Sequence, residues 1–203
     1  MDAPMQRAVI ASGNTKKLKE LQTILSPKHI ELIPQSEFEV SEVAETGLSF
    51  VENALIKARH ACVKTGLPSI ADDSGIEVDA LNGDPGIYSA RYAGIEGPTA
   101  DTENNAKLLS ELELIPSPKR TARFQCVIVF LRHAEDPTPL ICQGTWEGSI
   151  LFEERGDKGF GYDPLFIPQG HKRTFAELGS EIKNQLSHRA AALARLKAWQ
   201  ASV

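Results

Sequence analysis

The chain has 203 residues, of which 41% are hydrophobic and 24% charged, and a formal net charge of −5. That balance suits a globular protein and leaves no basic footprint for duplex DNA or an anionic membrane, so neither is expected as a partner. The length suits a single domain over residues 1–203 with room for a real core.

No segment approaches the roughly eighteen apolar residues of a membrane span, and Met1 to Arg7 has no apolar leader region, so a cytoplasmic location is expected. Cys62, Cys126 and Cys142 are odd in number and far apart, which fits reduced structural thiols. His29, His60, His133 and His171 have no metal-ligand spacing. There is no internal repeat or low-complexity linker.

Ala8 to Ala11 reads as a first strand. Ser12-Gly13-Asn14-Thr15-Lys16-Lys17 follows, and then Leu18, Leu21, Ile24 and Leu25 fall at helical spacing. A strand, a Gly-containing turn and a helix start aim backbone N–H groups and the helix dipole at one spot, and Lys16 or Lys17 adds full positive charge there. An anion belongs at such a spot. The G-x-x-x-x-G-K-[ST] spacing of a P-loop is absent, and Asn14 serves equally as an ordinary N-cap with the lysines on a solvated face.

Ile30 to Ile33 reads as a second strand, and the acid-rich Glu37 to Glu45 as a loop. Ser49-Phe50-Val51-Glu52 has capping-box spacing and opens a helix to about Lys64, which Gly66-Leu67-Pro68 ends. Asn53 and Lys57 share a face of it. The short run Leu67 to Ala71 then stops at Asp72 and Asp73, which are followed by Ser74-Gly75. Adjacent acids point to opposite faces of a strand and do not build a core, so the pair reads as a site. Oxygen ligands suit magnesium, and a carboxylate beside the metal can deprotonate an attacking water, which makes chemistry on a phosphate ester the first hypothesis. The competing reading is a turn cap leading into a separate strand, Ile76 to Leu81.

Gly83-Asp84-Pro85-Gly86 is a turn, and Asn104 to Leu112 a helix stopped by Pro116. Arg123 to Leu131 and Leu140 to Leu151 read as long paired strands joined by His133 to Pro139. Phe160-Gly161-Tyr162-Asp163-Pro164 precedes a short strand, Leu165 to Ile167, and Ser187 is the N-cap of a helix from His188 to about Trp199. Alternating helices and strands with one long hairpin predict an α/β fold with a mixed sheet. By composition alone, Phe160 and Tyr162 also read as core packing, Lys183 and Arg189 as a solvated helix face, and His188 as a first-turn residue.

Taken together, the segments Ser12 to Lys17, Glu45-Thr46-Gly47 with Phe50 to Lys57, Ala71 to Gly75, Pro85 to Arg91, Phe160 to Pro164, and Lys183 with Ser187-His188-Arg189 resemble the inosine/xanthosine triphosphate pyrophosphatase family. These are house-cleaning enzymes that hydrolyse deaminated purine nucleoside triphosphates. The matching segments occur in the family's order and span nearly the whole chain. The Ala-Ser-x-Ser-Pro-Arg-Arg opening of the related Maf-type pyrophosphatases is missing.

The resemblance implies an α/β fold with a mixed central β-sheet flanked by helices, in two lobes with the active-site cleft between them. It also implies a homodimer and Mg2+-dependent conversion of ITP, dITP and XTP to the monophosphate and pyrophosphate. Asp73 matches the general base, and Glu45, Asp72 and Asp73 are placed like metal ligands. Ser12, Gly13, Asn14, Thr15, Lys16 and Lys17 resemble the triphosphate loop. Lys57 looks like a further phosphate contact, and Ser74 matches a substrate contact. Phe160, with Gly161 and Tyr162 beside it, resembles the residue that stacks on the base, while Asp163, Lys183, His188 and Arg189 match base-recognition positions. The departures are small: Gln169 to Arg173 and Ile95 to Pro98 look extended, as surface loops.

The residue types suit that chemistry. A triphosphate carries close to four negative charges, which lysines, a helix N-terminus and a metal must offset before a nucleophile can approach phosphorus. Two competing activities use the same residues. A phosphatase would release orthophosphate, and a nucleotide sensor would bind without turnover.

Overall fold

The computed structural model describes residues 6–12, 18–19, 21–22 and 30–202, with side chains excepted at 180, 183, 184 and 200–202. Among the described residues six strands form one sheet in the order β2-β1-β3-β4-β5-β6. They are β1 (Gln6–Ile10), β2 (Ile30–Pro34), β3 (Ser69–Val78), β4 (Thr121–Leu131), β5 (Leu140–Ile150) and β6 (Phe166–Pro168). β1 pairs in parallel with β2 and β3, and β5 pairs antiparallel with β6, so the sheet is mixed, as predicted. The helices are α1 (Phe50–Thr65), α2 (Ala100–Glu111), α3 (Phe175–Leu178), α4 (Ser180–Leu186) and α5 (His188–Ser202). Residues 18, 19, 21 and 22 are also helical. Among the described residues no helix is long and apolar enough to cross a membrane.

The chain divides into two compact units: residues 1–73, 127–143 and 192–203, and residues 74–126 and 144–191. β3, β4 and β5 each pass from one unit to the other.

In the first unit, α1 begins where the sequence places it. Ser49 Oγ accepts from Glu52 N–H at 3.4 Å, and the Glu52 carboxylate accepts from Leu48 N–H at 3.0 Å. It ends at Gly66, whose φ of 70° closes the last turn onto Cys62 O. Ala54, Ala58 and Ala61 are fully buried at helical spacing and pack with Val9, Ala71, Val127 and Val129. Small side chains along that stripe let α1 lie close to the strands. The Cys62 thiol donates to Ser69 Oγ at 3.1 Å, and Ser69 Oγ donates to Ala58 O at 2.7 Å, which ties α1 to the start of β3. β2 is an edge strand, and its outer backbone meets a side chain: Gln22 Nε2 donates to Ile30 O at 3.0 Å, and Leu32 N–H donates to Gln22 Oε1 at 2.7 Å.

In the second unit, Ile76, Val78, Leu108, Leu112, Phe124, Phe166 and Phe175 form the core. The buried Arg120 joins the end of α2 to the end of β5. Its guanidinium donates to Leu112 O at 2.6 Å, Ile150 O at 3.0 Å and Leu151 O at 2.5 Å.

Several features depart from the sequence expectation. β3 does not stop at Asp72; one ten-residue strand runs through Asp72-Asp73-Ser74-Gly75, and residues 79–81 form a 3-10 turn where a strand was expected to continue. α2 starts at Ala100, four residues before Asn104, and β6 is shifted by one residue to Phe166–Pro168. α3 and α4 were not foreseen. α3 opens on a capping box, with Glu177 N–H donating to Thr174 Oγ1 at 3.2 Å and Thr174 N–H donating to the Glu177 carboxylate at 2.7 Å.

Candidate active site

The middle of β3 and the outward turns of α1 assemble a charged cluster within the first unit. Lys57 sits two turns into α1, and its Nζ donates to Glu45 Oε1 at 2.7 Å and to Asp73 Oδ1 at 3.1 Å. Asp72 and Asp73 are only 6% and 9% exposed, although strand alternation sends them to opposite faces. Among the described residues no group makes a hydrogen bond to the second, buried oxygen of Asp73, Oδ2. A carboxylate oxygen held out of water with no donor is poised to accept a proton.

Charge explains how these groups titrate. Burial pushes the Asp73 carboxyl up; the Lys57 ammonium opposes that, and the Glu45 charge adds to it. Lys57 is pulled down by burial, but the attraction of Asp73, then Glu45 and Asp72, outweighs this and holds it above the usual lysine value. Two carboxylates, Glu45 and Asp73, contact the ammonium, and the Asp72 charge also attracts it. Burial makes ionising Asp73 costly, and the neighbouring acids keep the proton on Lys57.

Asn53 stands one turn before Lys57 and is fully buried. Its Oδ1 accepts from Gly47 N–H at 2.9 Å, fixing the segment that carries Glu45. Its amide lowers the Asp73 carboxyl without a hydrogen bond of ordinary geometry. Gly47 tolerates no side chain, since a Cβ there would lie 2.5 Å from Glu52 Cβ and 2.8 Å from Asn53 Oδ1.

Hard oxygen donors fit Mg2+, and the cluster supplies two carboxylates already converging on one cation, the Lys57 ammonium. Among the described residues no three His, Cys, Asp or Glu side chains meet as a ligand set. Magnesium suits such a site because it is commonly held by one or two carboxylates together with substrate phosphates, not by a closed protein cage.

A second group of sequence-predicted residues lies in the second unit. Arg189 Nη2 donates to Ser74 Oγ at 3.4 Å. His188 is 6% exposed and stacks on the Phe124 ring, with centroids 4.9 Å apart and an interplanar angle of 13°. The Phe160 side chain is 61% exposed, which sets it apart from core packing. Tyr162 takes the core position instead: it is buried, donates to Ser89 O at 2.8 Å, and burial pushes its phenol up. Asp163 is buried and turned toward its own loop, where Oδ2 accepts from Phe160 N–H at 3.0 Å.

Ser12, half-buried, lies two residues past the end of β1. Gly13, Asn14, Thr15, Lys16 and Lys17 lie outside the described residues, and so does the Lys183 side chain on α4. Sequence reasoning assigned no role to Asn53, although it placed Asn53 on the Lys57 face. Its apolar neighbours Ala54 and Ala58 mark that side of α1 as buried, where an amide needs partners.

The sequence model of the Ham1 family matches residues 8–199. The chain belongs to the Ham1 family. A relative from Shewanella oneidensis is 58% identical over 95% of this chain and 92% of its own length, and bears the name dITP/XTP pyrophosphatase. A relative of the same name from Xylella fastidiosa is 56% identical over 95% of this chain and 96% of its own. A solved structure titled as a HAM1 protein from Coxiella burnetii superposes with a TM-score of 0.93 at 49% identity, covering 98% of this chain and all of that one. A Staphylococcus aureus Ham1 structure gives a TM-score of 0.88 at 40% identity, with 97% and 99% of the two chains covered. Ham1 membership accords with the resemblance read from the Asp72-Asp73, Phe160 and Arg189 segments, and the mixed sheet is the Ham1 fold.

Proposed function

We propose that this chain is a nucleoside triphosphate pyrophosphatase that hydrolyses the deaminated purine nucleotides ITP, dITP and XTP to the monophosphate and pyrophosphate, clearing them before they enter DNA or RNA. The observation that carries this reading is Asp73 Oδ2, a buried carboxylate oxygen without a hydrogen-bond donor among the described residues, in a chain 58% identical to a relative named dITP/XTP pyrophosphatase.

In this reading Asp73 accepts the proton of the attacking water. Its raised affinity for a proton brings it nearer to the working pH of a general base, a role that typically contributes about 10²–10⁴-fold. Lys57 keeps its charge in the presence of the acids and donates to the phosphate oxygens as negative charge develops on them. Glu45, Asp72 and Asp73 are the residues that would hold Mg2+, which when bound offsets the triphosphate charge. Ser12 to Lys17 cradle the phosphates, Ser74 contacts the substrate, and Phe160 stacks on the purine.

Base selection follows from hydrogen-bond polarity. Hypoxanthine and xanthine carry a 6-oxo acceptor where adenine carries an amino donor. Cationic donors at Lys183 and Arg189 complement the first and face a like donor on the second. An unsatisfied donor costs roughly 1–3 kcal/mol, more when charged, and sites built this way can reach about 10⁴-fold discrimination.

The test is a panel of ITP, dITP, XTP, ATP and GTP with magnesium, measuring pyrophosphate and orthophosphate separately. The expected result is pyrophosphate alone, with kcat/KM for ITP and XTP at least about 10²-fold above ATP and GTP. Orthophosphate as the product would make the chain a phosphatase, and binding without turnover would make it a sensor. Equal hydrolysis of all the purines would reject the base-recognition model and leave the triphosphate chemistry standing. The family resemblance further implies a homodimer, which light scattering at micromolar concentration tests.

A further inference from the structure

Two residues of α2, Asp101 and Asn105, hold the loop that carries the exposed Phe160. Gly161 follows Phe160 with φ of 59°, a left-handed conformation that leaves its peptide groups facing away from regular structure. Both groups are nonetheless engaged. Gly161 N–H donates to Asp101 Oδ2 at 2.7 Å, and Gly161 O accepts from Asn105 Nδ2 at 3.2 Å. Asp101 and Asn105 are four residues apart, so they sit one above the other on one face of the helix. The Asn105 amide also donates to Glu154 Oε1 at 2.7 Å, which fixes its rotamer, and Asn105 is only 3% exposed. From the other side Asp163 accepts the Phe160 N–H.

A buried Asn and an acid aimed at the two ends of one glycine are more than helix surface requires. Meanwhile the side chain they flank, Phe160, remains 61% exposed. An aromatic ring held open to solvent contributes nothing to the core, and a loop with that ring at its tip gains from rigidity only if the ring must meet something in a fixed pose. α2 is itself anchored, since Arg120 donates to Leu112 O at its C-terminal end and Asn104 donates to Ser89 O and Ala90 O.

We infer that Asp101 and Asn105 are positioning residues that clamp the Gly161 peptide and thereby preset the Phe160 ring as the platform for the purine base. This rests on the proposed function, in which Phe160 stacks on the base. Both residues act through Phe160 and touch no substrate atom.

The experiment compares Asp101→Ala, Asp101→Asn, Asn105→Ala, Phe160→Ala and the double variant Asp101→Ala/Phe160→Ala. It measures kcat and KM for ITP, together with the inhibition constant of inorganic tripolyphosphate, which carries the phosphates but no base. Asp101→Ala is expected to raise KM for ITP about threefold and Asn105→Ala about tenfold, with kcat changed less and the tripolyphosphate constant unmoved. Asp101→Asn keeps an accepting oxygen for Gly161 N–H and should restore KM to near wild type. The double variant should be no worse than Phe160→Ala alone, because the clamp has nothing left to hold.

Phe160→Ala raising KM while Asp101→Ala and Asn105→Ala leave it unchanged would overturn the clamp and spare the base platform. An unchanged KM in Phe160→Ala would overturn the platform, and the clamp with it. A parallel rise in KM and in the tripolyphosphate constant would reveal general loosening of the fold, and so also defeat the inference.

Discussion

Lys57 Nζ lies 3.1 Å from Asp73 Oδ1, joining the middle of α1 to the middle of β3 across sixteen residues of sequence. Among the described residues the other Asp73 oxygen receives no hydrogen bond, so charge balance and proton acceptance fall on different atoms of one carboxylate. Asp73→Asn preserves the shape and removes the acceptor, and a loss in kcat of at least about 10²-fold is expected. Stability should move the other way. The folded Asp73 pKa is raised, so the stability it contributes is present at low pH and lost as pH rises through the folded value. Above that window ionisation is a cost that Asn avoids. Thermal melts at neutral pH should place the variant at or above the wild type, and a clearly lower midpoint would show that the ionised carboxylate stabilises the fold.

Lys57→Ala removes the ammonium between Glu45 and Asp73 and leaves like charges facing each other. With the Lys57 side chain 18% exposed, the loss should be about 1–3 kcal/mol, below the range for a fully buried pair. Urea unfolding at neutral pH measures it. The loss should shrink as the acids are protonated near pH 4, because the repulsion disappears with their charge.

Gly47→Ala tests the approach of the Glu45 segment to α1. The added Cβ would meet Glu52 Cβ at 2.5 Å, so the segment must shift and the Asn53–Gly47 hydrogen bond must lengthen. Overpacking of this kind costs about 1–3 kcal/mol. Catalytic efficiency should fall at least about tenfold through displacement of Glu45. A variant with wild-type melting and wild-type kcat/KM would show that the segment is free to move.

Asp136 offers a pH test remote from the chemistry. Its carboxylate accepts from Arg132 Nε at 2.8 Å, from Arg132 Nη2 at 2.5 Å, and from the Arg132 and Thr138 backbone N–H groups at 3.0 Å each. The Arg132 guanidinium, aided by those N–H groups, holds this carboxyl well below the usual carboxylate range. A depressed folded pKa stabilises above the unfolded value, and the contribution is lost as pH falls through the folded one. Asp136→Asn should therefore melt several degrees below wild type at pH 7, and the gap should narrow steadily below pH 4. A gap independent of pH would assign the effect to shape and not to charge.

Local signals carried much of the fold. The Ser49–Glu52 cap, the Gly66 terminator and the apolar run of β4 each show a strong periodicity or a stereochemical stop. Ser187 also caps α5 as expected, accepting from Ala190 N–H at 3.2 Å. The continuity of β3 was hidden because Asp72, Asp73, Ser74 and Gly75 all have low strand propensity. What holds the strand is tertiary: β3 is hydrogen-bonded between β1 and β4 in the sheet, and Asp73 receives a lysine from α1. α3 is a single turn, too short for any hydrophobic period, and only its Thr174–Glu177 cap could have announced it. The charged cluster was legible as residue types, whereas the inward turn of Asp163 and the burial of Tyr162 depend on a loop conformation that no spacing encodes.

The amide of Gln22 does more than decorate the rim of the sheet. By offering one donor to Ile30 O and one acceptor to Leu32 N–H, it reproduces what a seventh strand would present. An unguarded edge is a template on which another chain can extend the sheet. Here that template is already occupied by the protein's own side chain, and the opposite border, β6, is only three residues long. Both borders are thereby poor starting points for runaway strand addition, and among the described residues the protection at one end comes from a glutamine side chain.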